Sequence, residues 1–300
     1  MALGRPLAPI DRATLAYVVL ALGFNLARGP RHLPAAVLLP LGLVLVALTA
    51  GFLAPRARSA GPFGRFVAEF YPLALTLAFY THVGLVNSVA SVSHDALVQR
   101  WEAALFSGQP SLEWIRAFPS PAWSAVMHAA YLSYYFILPG AALGLWLSGR
   151  RGAARHTLLL MTATFYVCYA LFFLFPVVGP RYLFPPAGNA ATAIPIALFV
   201  NRLVAGGSAW GTAFPSSHVA VTVVAAVCAW RSWRPLGAVL APAAALLALG
   251  TIYGQFHYAV DALAGALVGG LVLIAGRRAG YDAGPSGSRD ESIVRHGNHQ

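Results

Sequence analysis

Residues 211–230, GTAFPSSHVAVTVVAAVCAW, place a proline, two serines and a histidine directly before a long apolar run. Such a run without charged residues is typical of a buried or membrane-spanning helix. Pro215 suits the first turn of that helix, and Ser216 or Ser217 can cap it. The neighbouring backbone N–H groups would then be free to bind an anion. An ionisable ring, that of His218, is therefore predicted at an anion-binding helix end.

The composition of the whole chain places this helix in a membrane. The 300 residues are 58% hydrophobic and 10% charged, and the mean hydropathy is +0.67, which excludes an ordinary soluble domain. We predict an all-α polytopic membrane protein, a bundle of about eight transmembrane helices. The first span is short and could be a signal peptide, but no small-residue cleavage site follows it, so we expect it to be retained. The predicted spans cover about 11–27, 35–53, 70–91, 124–147, 156–177, 215–230, 236–252 and 258–276.

The basic residues predict the orientation of these spans. The chain has no lysine and a net charge of +11, and cytoplasmic loops collect positive charge. With eight spans, fourteen arginines fall on the side of the two termini and six on the other side. Both termini are therefore predicted to be cytoplasmic. The charge indicates contact with anionic lipid headgroups, and no nucleic acid is expected as a partner.

Four polar side chains are predicted on the exoplasmic face. His218 begins the sixth span, and two further crossings bring His257, in YGQFHYAVDALAG (253–265), back to the same face. Asp261 lies four residues later, one helical turn away, where a carboxylate can hold an imidazole. It is the only acidic residue inside a predicted span away from its ends, and such carboxylates are costly in a membrane and often functional. Arg181, in FPVVGPRYLFPP, follows the fifth span and emerges on that face too.

The segments GTAFPSSHVA and FHYAVDALAG resemble the second and third motifs of the type 2 phosphatidic acid phosphatase superfamily. GPRYLF, the paired serines and the HYxxDxxAG ending are most similar to the branch that contains fungal inositol phosphorylceramide synthase and its bacterial relatives. The resemblance covers residues 176–270 well and about 95–150 loosely. It implies a core of six helices, with the catalytic part at about 70–276. Because the sequence shows no internal repeat and no linker that would divide it, we predict a single transmembrane domain, residues 1–280.

The resemblance also implies roles for individual residues. His257 would attack phosphorus and form a phosphohistidine, Asp261 would orient its ring, and His218 would be the general acid and then the general base. No cofactor or metal is needed in that scheme. The groups that would bind the phosphate are Arg181, Ser216 and Ser217.

The sequence departs from the superfamily at the phosphate-binding positions. The phosphatases usually carry a lysine and an arginine in the first motif and an arginine before the third-motif histidine. This chain lacks lysine, and Thr251 stands six residues before His257. Arg181 becomes more important as a result. Further candidate site residues are Tyr182, Gln255 and Arg202.

Residues 95–123 are predicted to lie on the exoplasmic membrane surface. Leu97, Trp101 and Leu105 share one helical face, and tryptophan favours the headgroup level. The segment would be a lid or lateral gate for lipid, or an ordinary interfacial helix. Tyr131, Tyr134 and Tyr135 would line the pocket or belong to an aromatic belt.

Three classes of function are compatible with these patterns. The leading one is a metal-independent lipid phosphoesterase or phosphotransferase at the exoplasmic face of a bacterial-type plasma membrane, similar to inositol phosphorylceramide synthase. A lipid or polyol would be the acceptor, and a simple lipid-phosphate or prenyl-diphosphate phosphatase is the alternative. A proton-coupled transporter with a His/Asp relay and a metal hydrolase are the other classes. Residues 281–300 are expected to form a disordered cytoplasmic tail.

Overall fold

The structure, a computed structural model, describes residues 7–30, 35–90 and 92–280. The tail predicted at 281–300 lies outside the described residues. Regular structure in the described ranges is helical, apart from one isolated β-bridge between Val177 and Thr212. The prediction of an all-α polytopic membrane protein is confirmed.

The first four helices form the N-terminal part of the bundle. Helix α2 continues through a π-helical turn, Thr49–Leu53, into the short α3. The bounds are α1 (Pro9–Arg28), α2 (Ala35–Leu48), α3 (Ala54–Ala57) and α4 (Pro62–Ala90). Because α4 begins at residue 62, Glu69 lies inside it and is buried. The prediction that Asp261 is the only acidic residue within a span is therefore wrong.

Ten further helices carry the sequence motifs. Two of them, α5 and α6, lie within the segment 95–123 that was predicted to be interfacial. The bounds are α5 (Asp95–Phe106), α6 (Pro110–Ala117), α7 (Pro121–Leu132), α8 (Tyr134–Leu147), α9 (Arg151–Leu174), α10 (Pro180–Leu183), α11 (Pro195–Gly207), α12 (Ser217–Ser232), α13 (Arg234–Tyr253) and α14 (Ala259–Arg278).

Six helices of the described chain are long and apolar enough to cross a membrane, namely α1, α2 with α3, α4, α9, α13 and α14. The pair α7 and α8, bent by 43°, makes a seventh candidate. Helix α12 occupies the place of the remaining predicted span, but with 16 residues it is shorter than the usual transmembrane length. It is largely buried among α8, α9, α13 and α14, which shield it from lipid.

The bundle has two ends, which we name after the ends of α9. Helix α9 has 24 residues and spans roughly 36 Å, about the thickness of a bilayer core. At the Leu174 end, Arg28 at the close of α1 donates to the carbonyl of Phe173. At the Arg151 end, Arg58 after α3 pairs with Asp11 at the start of α1. Helix α1 therefore runs in the same direction as α9.

Two glycines bring α14 against α12 at backbone distance. A Cβ at Gly265 would lie 2.3 Å from the carbonyl oxygen of Ser216, and one at Gly269 would lie 2.6 Å from that of Ala220. Small residues four apart allow this approach between membrane helices. The contact fixes the first turn of α12 relative to the first turns of α14.

Candidate active site

The start of α12 is built by Ser216. Its hydroxyl accepts from the N–H of Val219 at 3.4 Å, and its own N–H donates to the carbonyl of Asp261 at 2.9 Å. The backbone of Ser216 is extended, so the helix begins at Ser217. Pro215 precedes the cap, and its predicted place in the first helical turn is wrong.

His257 lies in the tight connection between α13 and α14. Gln255 adopts a left-handed conformation with φ of 59°, which reverses the chain sharply. The N–H groups of Phe256 and His257 then both donate to the carbonyl of Thr251, at 2.9 and 3.0 Å. His257 therefore precedes α14, whereas the sequence placed it on one helical face with Asp261.

Asp261 still reaches the histidine, from the first turn of α14. Its Oδ2 accepts from the N–H of Tyr258 at 2.9 Å and lies 3.4 Å from Nδ1 of His257. Within the described residues, Oδ1 of the same carboxylate has no hydrogen-bond partner, although the side chain is fully buried. The carboxylate thus adjoins one nitrogen of the imidazole and leaves the other free to face elsewhere.

The second ring nitrogen of His257 faces His218. The distance from His257 Nε2 to His218 Nδ1 is 3.3 Å, and Nε2 of His218 lies 3.3 Å from the hydroxyl of Tyr131. A chain of polar groups therefore runs from Asp261 through both histidines to Tyr131. Burial lowers the pKa of His257 to about 4, against a hydrogen bond to the backbone of Ala213 that raises it. Its imidazole is neutral at pH 7, as a nitrogen nucleophile must be.

Both histidines line a cavity of 360 Å³ at the Leu174 end. Ser217, Arg181 and Tyr182 line it as well. The remaining wall is mainly aromatic and aliphatic and comes from α4, α8, α9 and α11, with Tyr80, Tyr134, Tyr135, Phe165, Tyr169 and Leu203 among its side chains. The cavity thus joins a small polar patch to a larger apolar chamber inside the bundle.

Arg181 is held in place by α11. Its two terminal nitrogens donate to the side-chain oxygen and to the carbonyl oxygen of Asn201, each at 2.9 Å. Gly179, just before α10, has φ of 99° and sits where a Cβ would come within 3.0 Å of Ala213. The loop that carries Arg181 therefore packs closely on the segment before α12.

The other predicted residues have different positions. Tyr182 lines the cavity and its hydroxyl bonds that of Ser208. Ser216, Gln255 and Arg202 do not line it. Ser216 is buried in its cap, Gln255 is used in the turn, and Arg202 is exposed on α11. Only Arg181 brings an arginine to the cavity wall.

Helix α5 supplies two buried carboxylates that the sequence analysis missed. Asp95 accepts from the N–H groups of Val178 and Gly179, both at 2.8 Å, and from the hydroxyl of Tyr258 at 3.1 Å. It therefore ties the loop before Arg181 to the residue after His257.

Glu102 lies about two turns after Asp95 on the same face of α5. It accepts from the N–H of Ala259, the first residue of α14, at 2.9 Å and from the hydroxyl of Ser111 at 3.3 Å. Burial raises the pKa of Glu102, and the bonds from Ala259 and Ser111 oppose that effect. A carboxylate at a helix N-terminus also interacts favourably with the helix dipole.

The face of α5 that packs inward is consequently polar. Leu97, Trp101 and Leu105, predicted to share an apolar face, are partly or largely exposed, with Leu105 64% exposed. Leu105 is free to enter a headgroup layer, whereas the ring of Trp101 stacks on Phe175 with the centroids 5.8 Å apart. Only the inward acids could not be assigned, because their partners are mostly backbone groups distant in sequence.

Comparisons with known proteins identify the relationship of this chain. Residues 96–275, more than half of the 300-residue chain, match the family model described as the PAP2 superfamily. Searches of curated proteins and of solved structures gave no match. The matched region starts in α5 and ends in α14, so it contains every group that lines or supports the polar patch described above except Asp95 and the α4 wall.

Proposed function

The chain belongs to the PAP2 superfamily, whose members are usually phosphatases and phosphotransferases, and we propose that it transfers a phosphoryl group from a lipid through a phosphohistidine on His257. The observation that carries the proposal is the Asp261–His257–His218 chain in the wall of a cavity that Arg181 also lines. Membership in the family supports the reaction type, and the geometry supports the roles of the residues.

In the first half-reaction, Nε2 of His257 attacks phosphorus. A P–N bond forms, the ester P–O bond breaks, and the leaving oxygen takes a proton from His218. Asp261, beside Nδ1 of His257, holds the tautomer in which Nε2 carries the lone pair and stabilises the positive charge that develops on the ring. The 3.3 Å between His257 Nε2 and His218 Nδ1 supports this division of labour, because two nitrogens this close could act on the same phosphorus centre.

In the second half-reaction, His218 accepts the proton of an incoming hydroxyl. The oxygen attacks phosphorus, the P–N bond breaks, and neutral His257 is restored. Tyr131 is in contact with Nε2 of His218 and supports the orientation of that ring. Throughout, the phosphate oxygens are bound by Arg181 and by the N-terminal turn of α12 at Ser217, where charge stabilisation has its largest effect in phosphoryl transfer.

The shape of the cavity supports a lipid substrate and a transferase similar to inositol phosphorylceramide synthase. Its apolar chamber extends from the histidines between α4, α8, α9 and α11, and it offers room for an acyl chain or for the body of an acceptor. Hydrolysis by water at the same site is the alternative outcome. The excess of arginines at the Arg151 end supports a cytoplasmic location for that end, which would leave the active site exoplasmic.

The experiment is a phosphorus balance on purified full-length protein in the presence of EDTA. Phosphatidic acid, a prenyl diphosphate and phosphatidylinositol are each supplied with and without a lipid alcohol acceptor. His257→Ala is compared with wild type and with His156→Gln, a matched histidine change in α9 near the Arg151 end. We expect turnover by wild type and His156→Gln, and a loss of about 10⁴-fold or more for His257→Ala.

The product and the fate of the label separate the alternatives. Phosphorus recovered on the acceptor identifies a transferase, whereas inorganic phosphate identifies a phosphatase. Acid-labile, base-stable label on wild-type protein, absent from His257→Ala, supports the phosphohistidine. Undiminished turnover by His257→Ala would overturn the mechanism, and turnover that appears only in a parallel assay without EDTA would favour a metal hydrolase.

A further inference from the structure

A second cavity lies at the Arg151 end, about a bilayer thickness from the histidines. Its volume is 290 Å³, and it is formed where the start of α4 meets the end of α8 and the start of α9. Four of its seven lining residues are arginines, namely Arg58, Arg65, Arg151 and Arg155. No other cavity described for this chain has such a basic wall.

Positive charge exceeds negative charge around this cavity, which we call the arginine pocket. Glu69 lines it and Asp11 adjoins it through Arg58. Four guanidinium groups therefore face two carboxylates, which leaves two positive charges uncompensated. Such an excess inside a concave site attracts a ligand with phosphate groups, because guanidinium binds phosphate oxygens in pairs.

One of the arginines is fixed as part of the framework. Arg58 pairs with Asp11, lies 3.4 Å from Glu69 through Nε, and donates to the carbonyl of Ala68 at 2.8 Å. Tyr71 also donates to Asp11, at 2.9 Å. The floor of the pocket is thus rigid before any ligand binds.

The other arginines are available to a ligand. Arg65 and Arg151 form no salt bridge with a carboxylate of the described chain, and Arg155 is 3.8 Å from Glu69 while its side chain is half exposed. Arg151 instead lies over the ring of Trp146, 5.7 Å from its centroid. That contact orients the guanidinium at the rim while leaving its donors unoccupied by an acid.

Exposed apolar side chains are close in sequence to the lining residues of α4 and α8. Phe63 and Val67 of α4 and Leu147 of α8 are 79%, 43% and 81% exposed. In a bilayer these groups contact acyl chains, while the arginines reach the headgroup level. A soluble anion would contact only the arginines, whereas a phospholipid would contact the arginines through its headgroup and the apolar side chains through its acyl chains.

We propose that the arginine pocket is a binding site for the phosphate-bearing headgroup of an anionic phospholipid in the membrane leaflet opposite the active site. The anchored Arg58 and the rim residues Arg65, Arg151 and Arg155 bind the phosphate, and the exposed apolar residues bind the chains. The site is separate from the catalytic cavity, so it binds lipid without turning it over.

The test uses delipidated full-length protein in detergent, titrated with mixed micelles of dioleoyl phosphatidylglycerol or dioleoyl phosphatidylcholine. Bound lipid is counted by native mass spectrometry. The double variant Arg65→Gln/Arg151→Gln is compared with Arg234→Gln/Arg278→Gln, which removes two exposed arginines at the same end outside the pocket. We expect phosphatidylglycerol to bind wild type and the control about tenfold more tightly than the pocket variant, equivalent to about 1.4 kcal/mol.

Competition distinguishes a lipid site from a general anion site. Inorganic phosphate at millimolar concentration should not displace phosphatidylglycerol, and phosphatidylcholine should bind all three proteins equally weakly. Equal phosphatidylglycerol affinity for the pocket variant and the control would overturn the proposal, as would displacement by inorganic phosphate. If the double variant does not fold, Arg65→Gln alone, on an exposed position, carries the same test. Phosphoryl transfer measured in parallel separates failure of this site from failure of the proposed reaction.

Discussion

The two ends of the bundle differ in how far their ionisable side chains are buried and paired. At the Leu174 end, His257, Asp261 and the carboxylates of α5 are buried and joined to neighbours by short contacts. At the Arg151 end, Arg65, Arg151 and Arg155 are exposed around a cavity, and their charges exceed those of the nearby acids. Enclosure fixes the geometry that a reaction needs, whereas surplus exposed charge favours capture of an anion.

The same difference appears in how each end uses a buried carboxylate. Asp261 adjoins an imidazole and a backbone N–H, and one of its oxygens has no partner. Glu69 adjoins two guanidinium groups, those of Arg58 and Arg155. Asp261 is placed to orient the imidazole of His257, whereas Glu69 compensates the positive charges of Arg58 and Arg155. Matched substitutions at the two ends can therefore separate an effect on the proposed reaction from an effect on protein stability.

The largest expected effect follows from neutralising Asp261. Asp261→Asn preserves volume but removes the charge that supports His257, and we expect kcat to fall about 100-fold or more with little change in KM. Glu69→Gln, the matched change at the Arg151 end, should alter kcat less than about twofold while lowering the thermal midpoint, because Arg58 loses a partner. Steady-state kinetics and thermal unfolding of both variants provide the measurement. An equal loss of kcat in both would show that buried charge at either end acts only through stability.

A smaller effect is expected from the arginine in the catalytic cavity. Arg181→Gln removes the guanidinium that lines this cavity and that we propose binds the phosphate, and we expect KM to rise about tenfold or more. Arg202→Gln changes an exposed arginine of α11 that does not line the cavity, and KM should stay within about twofold. The KM values of the two variants are compared by steady-state kinetics with the substrate that the phosphorus balance identifies. A larger rise for Arg202→Gln would mean that the phosphate binds nearer to α11 than the cavity wall indicates.

The smallest effect concerns the close contact of α12 and α14. Gly265→Ala would place a Cβ 2.3 Å from the carbonyl oxygen of Ser216, and we expect a loss of about 1 to 2 kcal/mol in stability from overpacking. Gly270→Ala, on the same helix, meets nothing within 4 Å and should be neutral or slightly stabilising through helix propensity. Thermal unfolding in one detergent compares the two. Equal midpoints would contradict the close packing that aligns Ser216 with Asp261.

The proximity of His218, His257 and Asp261 could be predicted from the sequence, because an even number of membrane crossings returns the chain to the same face. His218 and His257 are separated by two spans and must return to the same face, and Asp261 follows within one turn. The structure places all three within hydrogen-bond distance or close to it. The details of the helix starts were wrong, because the extended Ser216 and the left-handed Gln255 are set by local backbone geometry that periodicity does not encode.

The support from α5 and the basic cavity at the Arg151 end could not be predicted in the same way. Asp95 and Glu102 bond mainly backbone N–H groups more than 80 residues away along the chain, and such partners leave no pattern in a sequence. On hydropathy alone these acids would be assigned to the water-facing side of an interfacial helix. Likewise, the arginines of α4 and α9 could be assigned to one membrane side, but their gathering into a concave site depends on packing.

The inward acids of α5 have a consequence for mutational tolerance. In a saturation library, positions 95, 98 and 102 should accept few residues, since Asp95, Val98 and Glu102 are buried against segments that carry the histidines. Positions 97 and 105 should accept any residue that partitions into a membrane surface, whereas position 101 should favour aromatic residues because Trp101 stacks on Phe175. A helix that never reaches the substrate would then show a periodic pattern of intolerance set by two acids as well as by Val98, unlike an amphipathic helix whose intolerant face is wholly apolar.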